Sequence, residues 1–128
     1  MTTRGIRGAI TIGADTQQNV LSATRELLSA ILASNPGLTS NAIGSAFFTV
    51  TDDIASAYPA LAARQMDWGQ VPMMCAREIP VPGGLGLCIR VLILWNTDKD
   101  PSEIKHVYLR DAIRLRADLV NEPEEKPA

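Results

Sequence analysis

From Arg4 to Ile12 the chain alternates, with Ile6, Gly8, Ile10 and Ile12 on one side of an extended segment and Gly5, Arg7, Ala9 and Thr11 on the other. This pattern predicts a strand whose single buried-looking charge, Arg7, stands opposite the isoleucines. The period then changes: Val20, Thr24, Leu27, Leu28 and Ile31 recur at helical spacing. Asp15 with Gln18 three residues on reads as a capping box at the start of that helix, and Asn35-Pro36-Gly37 ends it. A β-rich run from Ala46 to Thr51 leads into Asp52-Asp53, and Pro59 opens a short helix from Ala60 to Met66 that contains Arg64 and stops at Trp68-Gly69. Val71 to Ile79 reads as a strand. The run "PVPGGLG" turns the chain, and Leu87 to Trp95 returns as the most apolar strand, so the two are expected to form a hairpin-like pair. Asp100-Pro101 starts a last brief helix.

This order predicts an α+β fold of the α/β type, a sheet with helices flanking one face. With one long helix available, the other face is left bare, and a symmetric oligomer is the expected cover. At 128 residues the chain suits one domain over residues 1–117. The closing "NEPEEKPA" is acidic, proline-containing and without apolar anchors, which makes residues 118–128 an expected mobile tail. The composition is 46% hydrophobic and 20% charged with a net charge of -2, so it offers no basic field for nucleic acid. No apolar run reaches membrane length and "MTTRGIRGAITIG" lacks a signal peptide's apolar stretch, so neither membrane nor export is expected and the cytoplasm is. Cys75 and Cys88 lack metal-site or redox spacing, which favours reduced thiols.

Arg90 stands inside "CIRVLILW", on the same strand face as Cys88, Leu92 and Leu94, and its guanidinium stays charged at any relevant pH. Two readings fit: an internal or interfacial ion pair, or a cation that binds an anionic ligand. Arg7 favours the second, because two strands then each present one arginine from an otherwise uncharged face, and planar forks match carboxylates. Glu78 is either the salt-bridge partner of Arg90 or a carboxylate that accepts from a substrate hydroxyl. Cys75 has no neighbour that would activate it, so it reads as inert lining, and strict alternation places it opposite Glu78 unless the strand bulges. His106 reads as a surface or capping residue, and Trp68 and Trp95 as core or interface aromatics. "GGLGLCI" precedes a strand and lacks a third glycine, so it is no dinucleotide loop. No metal site, redox cofactor or covalent nucleophile is indicated. An enzyme built from these residues works by electrostatics and positioning.

"RGIRGAIT" at the N-terminus, Cys75-x-x-Glu78, the run from Gly83 to Val91 and "HVYL" from His106 to Leu109 together resemble the monofunctional chorismate mutases of the trimeric AroH class. The resemblance runs from about residue 3 to residue 119. It implies a mixed sheet with flanking helices, three subunits forming a pseudo-α/β barrel, and sites at the subunit interfaces. The implied reaction is the cofactor-free Claisen rearrangement of chorismate to prephenate. Carried over, Arg90 bonds the ether oxygen and a carboxylate, and Glu78 holds the ring hydroxyl with Cys75 nearby. Arg7 takes a carboxylate, and Tyr108 contacts one from the pocket edge. Arg64, Tyr58 and Ala60 become wall or rim residues, and Leu115 and Arg116 belong to a closing C-terminal segment. The chain departs from relatives at Leu61, where some carry lysine, and at Tyr58, where they carry phenylalanine. The alternative is a trimer of similar fold that is an imine deaminase of the RidA type or a silent binder of small acids. The deaminase signature, a late apolar-Glu-apolar strand, is missing from "AIRLRADLVNEPEEKPA".

Overall fold

The alternation after Arg4 becomes strand β1 (Thr3–Thr11) in a computed structural model that describes residues 2–115. Helix α1 (Gln17–Ser34) follows, then β2 (Ile43–Val50), helix α2 (Pro59–Arg64), β3 (Met73–Arg77), β4 (Cys88–Asn96) and β5 (Val107–Leu109). The strands form one mixed sheet in the order β3-β2-β4-β1-β5. β4 lies antiparallel between β1 and β2, while β3 on β2 and β5 on β1 are parallel edge strands.

Both helices cover one sheet face. There Ile6 and Ile10 of β1, Phe48 of β2 and Ile89 and Ile93 of β4 meet Val20, Leu27, Leu28 and Ile31 of α1, all 1% exposed or less. Each such side chain contributes about 1.5–3 kcal/mol by leaving water. Gly8 lets α1 approach, because a Cβ there would sit 2.7 Å from Ile31 Cδ1. The helix ends on Asn35, buried, whose amide donates to the carbonyls of Ile31 and Lys105 and whose oxygen accepts from the Lys105 N–H. That side chain fastens α1 to the segment entering β5.

Three expectations change. Thr16, not Asp15, caps α1, its hydroxyl accepting from the Asn19 N–H. Asp15 is engaged elsewhere, accepting from the N–H groups of Ala55 and Ser56 and from the Ser56 hydroxyl. β3 and β4 are not a hairpin, because β2 lies between them. The connection from Glu78 to Leu87 is far longer than the roughly two to five residues of a hairpin loop, and it crosses the end of β2, whose two edges both need partners. β5 has no counterpart in the sequence reading, being three residues long and without a visible period. The brief helix at Asp100-Pro101 is a 3-10 turn over Pro101–Glu103 with its capping box in place. The expected mobile tail over residues 118–128 lies outside the described residues.

Candidate active site

The bare face of the sheet is written by the register. Tyr108 of β5 lies beside Ala9, Ala9 beside Arg90, Arg90 beside Thr49 and Thr49 beside Ala76, in one row across five strands. The neighbouring row brings Arg7 beside Leu92, Leu92 beside Phe47 and Phe47 beside Met74. Partners in register share a face, so both arginines project from the side the helices do not cover. Phe47 and Leu92 are each 38% exposed and Met74 64%, an apolar surround open to solvent in the single chain.

A cavity of about 340 Å³ opens there, lined by Arg7, Thr49, Glu78, Arg90, Leu92 and Tyr108 among others. It is within the size range of small-ligand sites. Arg90 Nε lies 3.6 Å from Glu78 Oε2, an ion-pair distance beyond hydrogen-bond reach. Nε is buried and has no hydrogen-bond partner among the described residues, although the side chain as a whole is 40% exposed. A buried N–H without an acceptor is costly, and the residue that carries it lines the cavity. The same Glu78 oxygen accepts a hydrogen bond from the Thr49 hydroxyl. The Glu78 backbone N–H donates to the Val50 carbonyl, fixing the residue just past the end of β3. A second cavity of about 500 Å³ shares Glu78 and Arg90 and extends under the loop of Ile79, Val81 and Leu85.

Arg90 is held from its own strand's start. Leu87 takes a positive φ of 47°, and its N–H donates to both Asp53 carboxylate oxygens at 3.0 Å. Gly86 leaves room beside it, since a Cβ there would sit 2.8 Å from Asp53 Oδ2 and push the carboxylate aside. Thr51 donates its hydroxyl to Asp53 and accepts from the Cys88 N–H. Cys88, Ala9 and Ala112 form a small buried cluster on this face with Leu85, Tyr108 and Leu115 against it. Burial pushes the Cys88 thiol up, with the Arg90 charge opposing, so it stays protonated as filling.

The structure brings Arg7, Arg90, Glu78 and Tyr108 together and leaves other expected residues apart from them. Cys75 is in register with Phe48, on the helix-covered side, and packs against the main core. No bulge interrupts β3, so Cys75 and Glu78 do not meet within one chain. Cys75 lines a different cavity, of about 430 Å³, with Tyr58, Leu61, Ile54 and Arg77. Tyr58 is 71% exposed, Ala60 is buried, and Arg64 is exposed at the end of α2. Leu115 is half-buried and packs against the same small cluster as Tyr108, and Arg116 lies outside the described residues. His106 accepts the Arg7 backbone N–H on Nδ1 at 2.9 Å, so it buttresses the strand edge at Arg7. The sequence reading missed Thr49. Among the described residues no three His, Cys, Asp or Glu side chains are grouped to hold a metal ion, and no helix is long and apolar enough to cross a membrane.

Residues 3–119 match the family model described as chorismate mutase type I. Over 116 residues the chain is 53% identical to the chorismate mutase AroH of Thermus thermophilus, covering 91% of this chain and 95% of that one. It is 38% identical over 120 residues to the chorismate mutase AroH of Bacillus subtilis, covering 93% and 94%. A solved chorismate mutase from Clostridium thermocellum superposes with a TM-score of 0.84 at 46% identity, covering 87% of this chain and 98% of that one.

Proposed function

We propose a mechanism for a chain that belongs to the chorismate mutase type I family and is therefore an isomerase that converts chorismate to prephenate. In this rearrangement the ether carbon–oxygen bond breaks as a carbon–carbon bond forms, with no atom gained or lost. Negative charge grows on the ether oxygen in the transition state, so the useful catalyst is a cation already in place. The observation that carries the proposal is the buried Nε of Arg90, without an acceptor among the described residues, on a residue that lines the cavity. Arg90 donates to the ether oxygen there, where exclusion of water strengthens the interaction. Arg7 receives one substrate carboxylate and Tyr108 another from the edge, while Glu78 accepts from the ring hydroxyl.

The enzyme works as a homotrimer with sites between subunits. Two observations support this. The face that holds Arg90 exposes Phe47, Leu92 and Met74, which a second copy covers. The other expected residues, Tyr58 and Cys75, line a cavity of their own, with Ala60 and Arg64 on the adjoining α2. A neighbouring copy that brings this surface to the Arg90 cavity completes the constellation that one chain divides. Leu115 packs against the same Ala9, Cys88 and Ala112 cluster as Tyr108 and lies at the edge of the site. The two free thiols suit a reducing compartment, and the proposal places the enzyme in the cytoplasm. Membership of the mutase family leaves the imine-deaminase alternative without support.

Loss of chorismate's diene absorbance tests the mechanism. The wild-type protein turns chorismate over. Arg90→Ala lowers kcat by at least ~10²-fold, about 3 kcal/mol, as does loss of an oxyanion donor, and Arg90→Lys recovers little because a point charge does not reproduce the fork. Near-normal activity in Arg90→Ala would remove the ether-oxygen role. A native mass near three times 13.8 kDa is expected, and a monomer at assay concentration contradicts shared sites.

A further inference from the structure

We infer that Thr49 is a positioning residue for catalysis, holding the Glu78 carboxylate off Arg90 so that Arg90 Nε–H is left without a protein acceptor and is kept for the ligand. The inference rests on the roles of Arg90 and Glu78 proposed above. Thr49 is the register partner of Arg90 on β2, so its side chain stands next to the guanidinium on the same face. Its hydroxyl donates to Glu78 Oε2, and that same oxygen is the one 3.6 Å from Arg90 Nε. A carboxylate this close to an N–H without an acceptor gains a charge-assisted hydrogen bond by moving about 0.7–0.9 Å nearer.

Among the described residues little else anchors the Glu78 carboxylate. It follows the last residue of β3, and the bond from its N–H to the Val50 carbonyl fixes the main chain but not the side chain. The Thr49 hydroxyl supplies the missing restraint. Threonine suits the task, because branching at Cβ stiffens χ1 and favours the strand that carries it. Without this bond Glu78 closes on Nε, and the substrate's ether oxygen must displace a carboxylate before Arg90 can act. The loss therefore falls on the chemical step, and the fold is untouched.

Steady-state kinetics of chorismate consumption test this with four variants. Thr49→Val keeps the shape and branching but removes the donor, and is expected to lower kcat about tenfold, near one broken hydrogen bond, at unchanged thermal stability. Thr49→Ser restores the donor and returns kcat to within about threefold of wild type. Glu78→Ala is impaired by itself, and adding Thr49→Val to it changes kcat by less than about twofold, since the hydroxyl then has no carboxylate to hold. Wild-type kcat in Thr49→Val beside an impaired Glu78→Ala overturns the role of Thr49 alone. A further tenfold loss in the double variant overturns it too, showing that Thr49 acts without Glu78. Wild-type kcat in Glu78→Ala removes the parent reading and the inference with it.

Discussion

The two faces of the sheet are made from the same strands, one residue to each side in turn, and they are built to opposite rules. The helix-covered face sets Ile6, Ile10, Phe48, Ile89 and Ile93 in contact with α1, with no charge among them. The bare face carries Arg7 and Arg90 among Phe47, Leu92 and Thr49, with a buried N–H that finds no acceptor among the described residues. Burial of apolar surface stabilises the first. The second carries a part-exposed guanidinium and adds little to stability, so a single β4 holds its fold with Ile89, Val91 and Ile93 and presents its chemistry with Arg90. Strands suit this division, because the side facing a site can be changed at every second residue without disturbing the core.

The largest effects break the comparison cleanly. Phe48→Ala empties a fully buried position and is expected to cost ~3–5 kcal/mol of unfolding free energy. Arg90→Ala, on the opposite face of the adjacent strand, changes stability by less than about 1 kcal/mol, because its ion pair to Glu78 is long and its side chain 40% exposed. Urea unfolding and chorismate turnover on both variants separate the faces. A marginally folded Arg90→Ala protein would mean that the charge is structural and the division false.

Much of this was readable beforehand, for identifiable reasons. β1, α1 and β4 are long and strongly periodic, and an arginine in each of two apolar alternations marks the working face directly. The pairing of β3 was not readable, because the proline-glycine run that suggests a hairpin serves a crossover past β2 equally well. Three-residue β5 has no period to detect, yet it places Tyr108 in the Arg90 row. Thr49 was invisible for a different reason: threonine is ordinary on an open strand face, and only the register that sets it between Glu78 and Arg90 gives it a task. Cys75 and Glu78 are three apart in sequence, and alternation alone foretold that they would part company.

A smaller effect sharpens the comparison within one strand. Gly8 follows Arg7 but faces the covered side, where an added Cβ would meet Ile31 Cδ1 at 2.7 Å, Val91 Cγ1 at 3.2 Å and Leu27 Cδ1 at 3.3 Å. All three are side-chain ends that give way at some cost, so Gly8→Ala is expected to lose ~1–3 kcal/mol by overpacking. Gly5→Ala, on the bare face, meets only Leu92 Cδ1 at 3.4 Å, an ordinary contact, and should be nearly neutral in the same urea titration. Equal losses at the two glycines would show that the bare face is packed as tightly as the covered one.

The smallest effect concerns how the covered side tolerates charge at all, which it does only at the rim. Asp15 is partly exposed and ties the loop at Ala55 and Ser56 to the start of α1. The Ser56 hydroxyl, then the Ala55 N–H, hold its carboxyl below the ordinary value of 3.8. A carboxyl whose pKa is lowered by folding adds stability above its unfolded value, and that stability is lost as pH falls through the folded one. Asp15→Asn should therefore show a small loss of Tm at pH 7 that shrinks below pH 3.8 as the wild-type carboxylate is protonated. The apolar contacts of Phe48 and its neighbours have no proton to lose, so the deficit of Phe48→Ala contains no such step over the same range. A deficit in Asp15→Asn that stays constant down to pH 2 would assign the tether to the shape of the side chain and not to its charge.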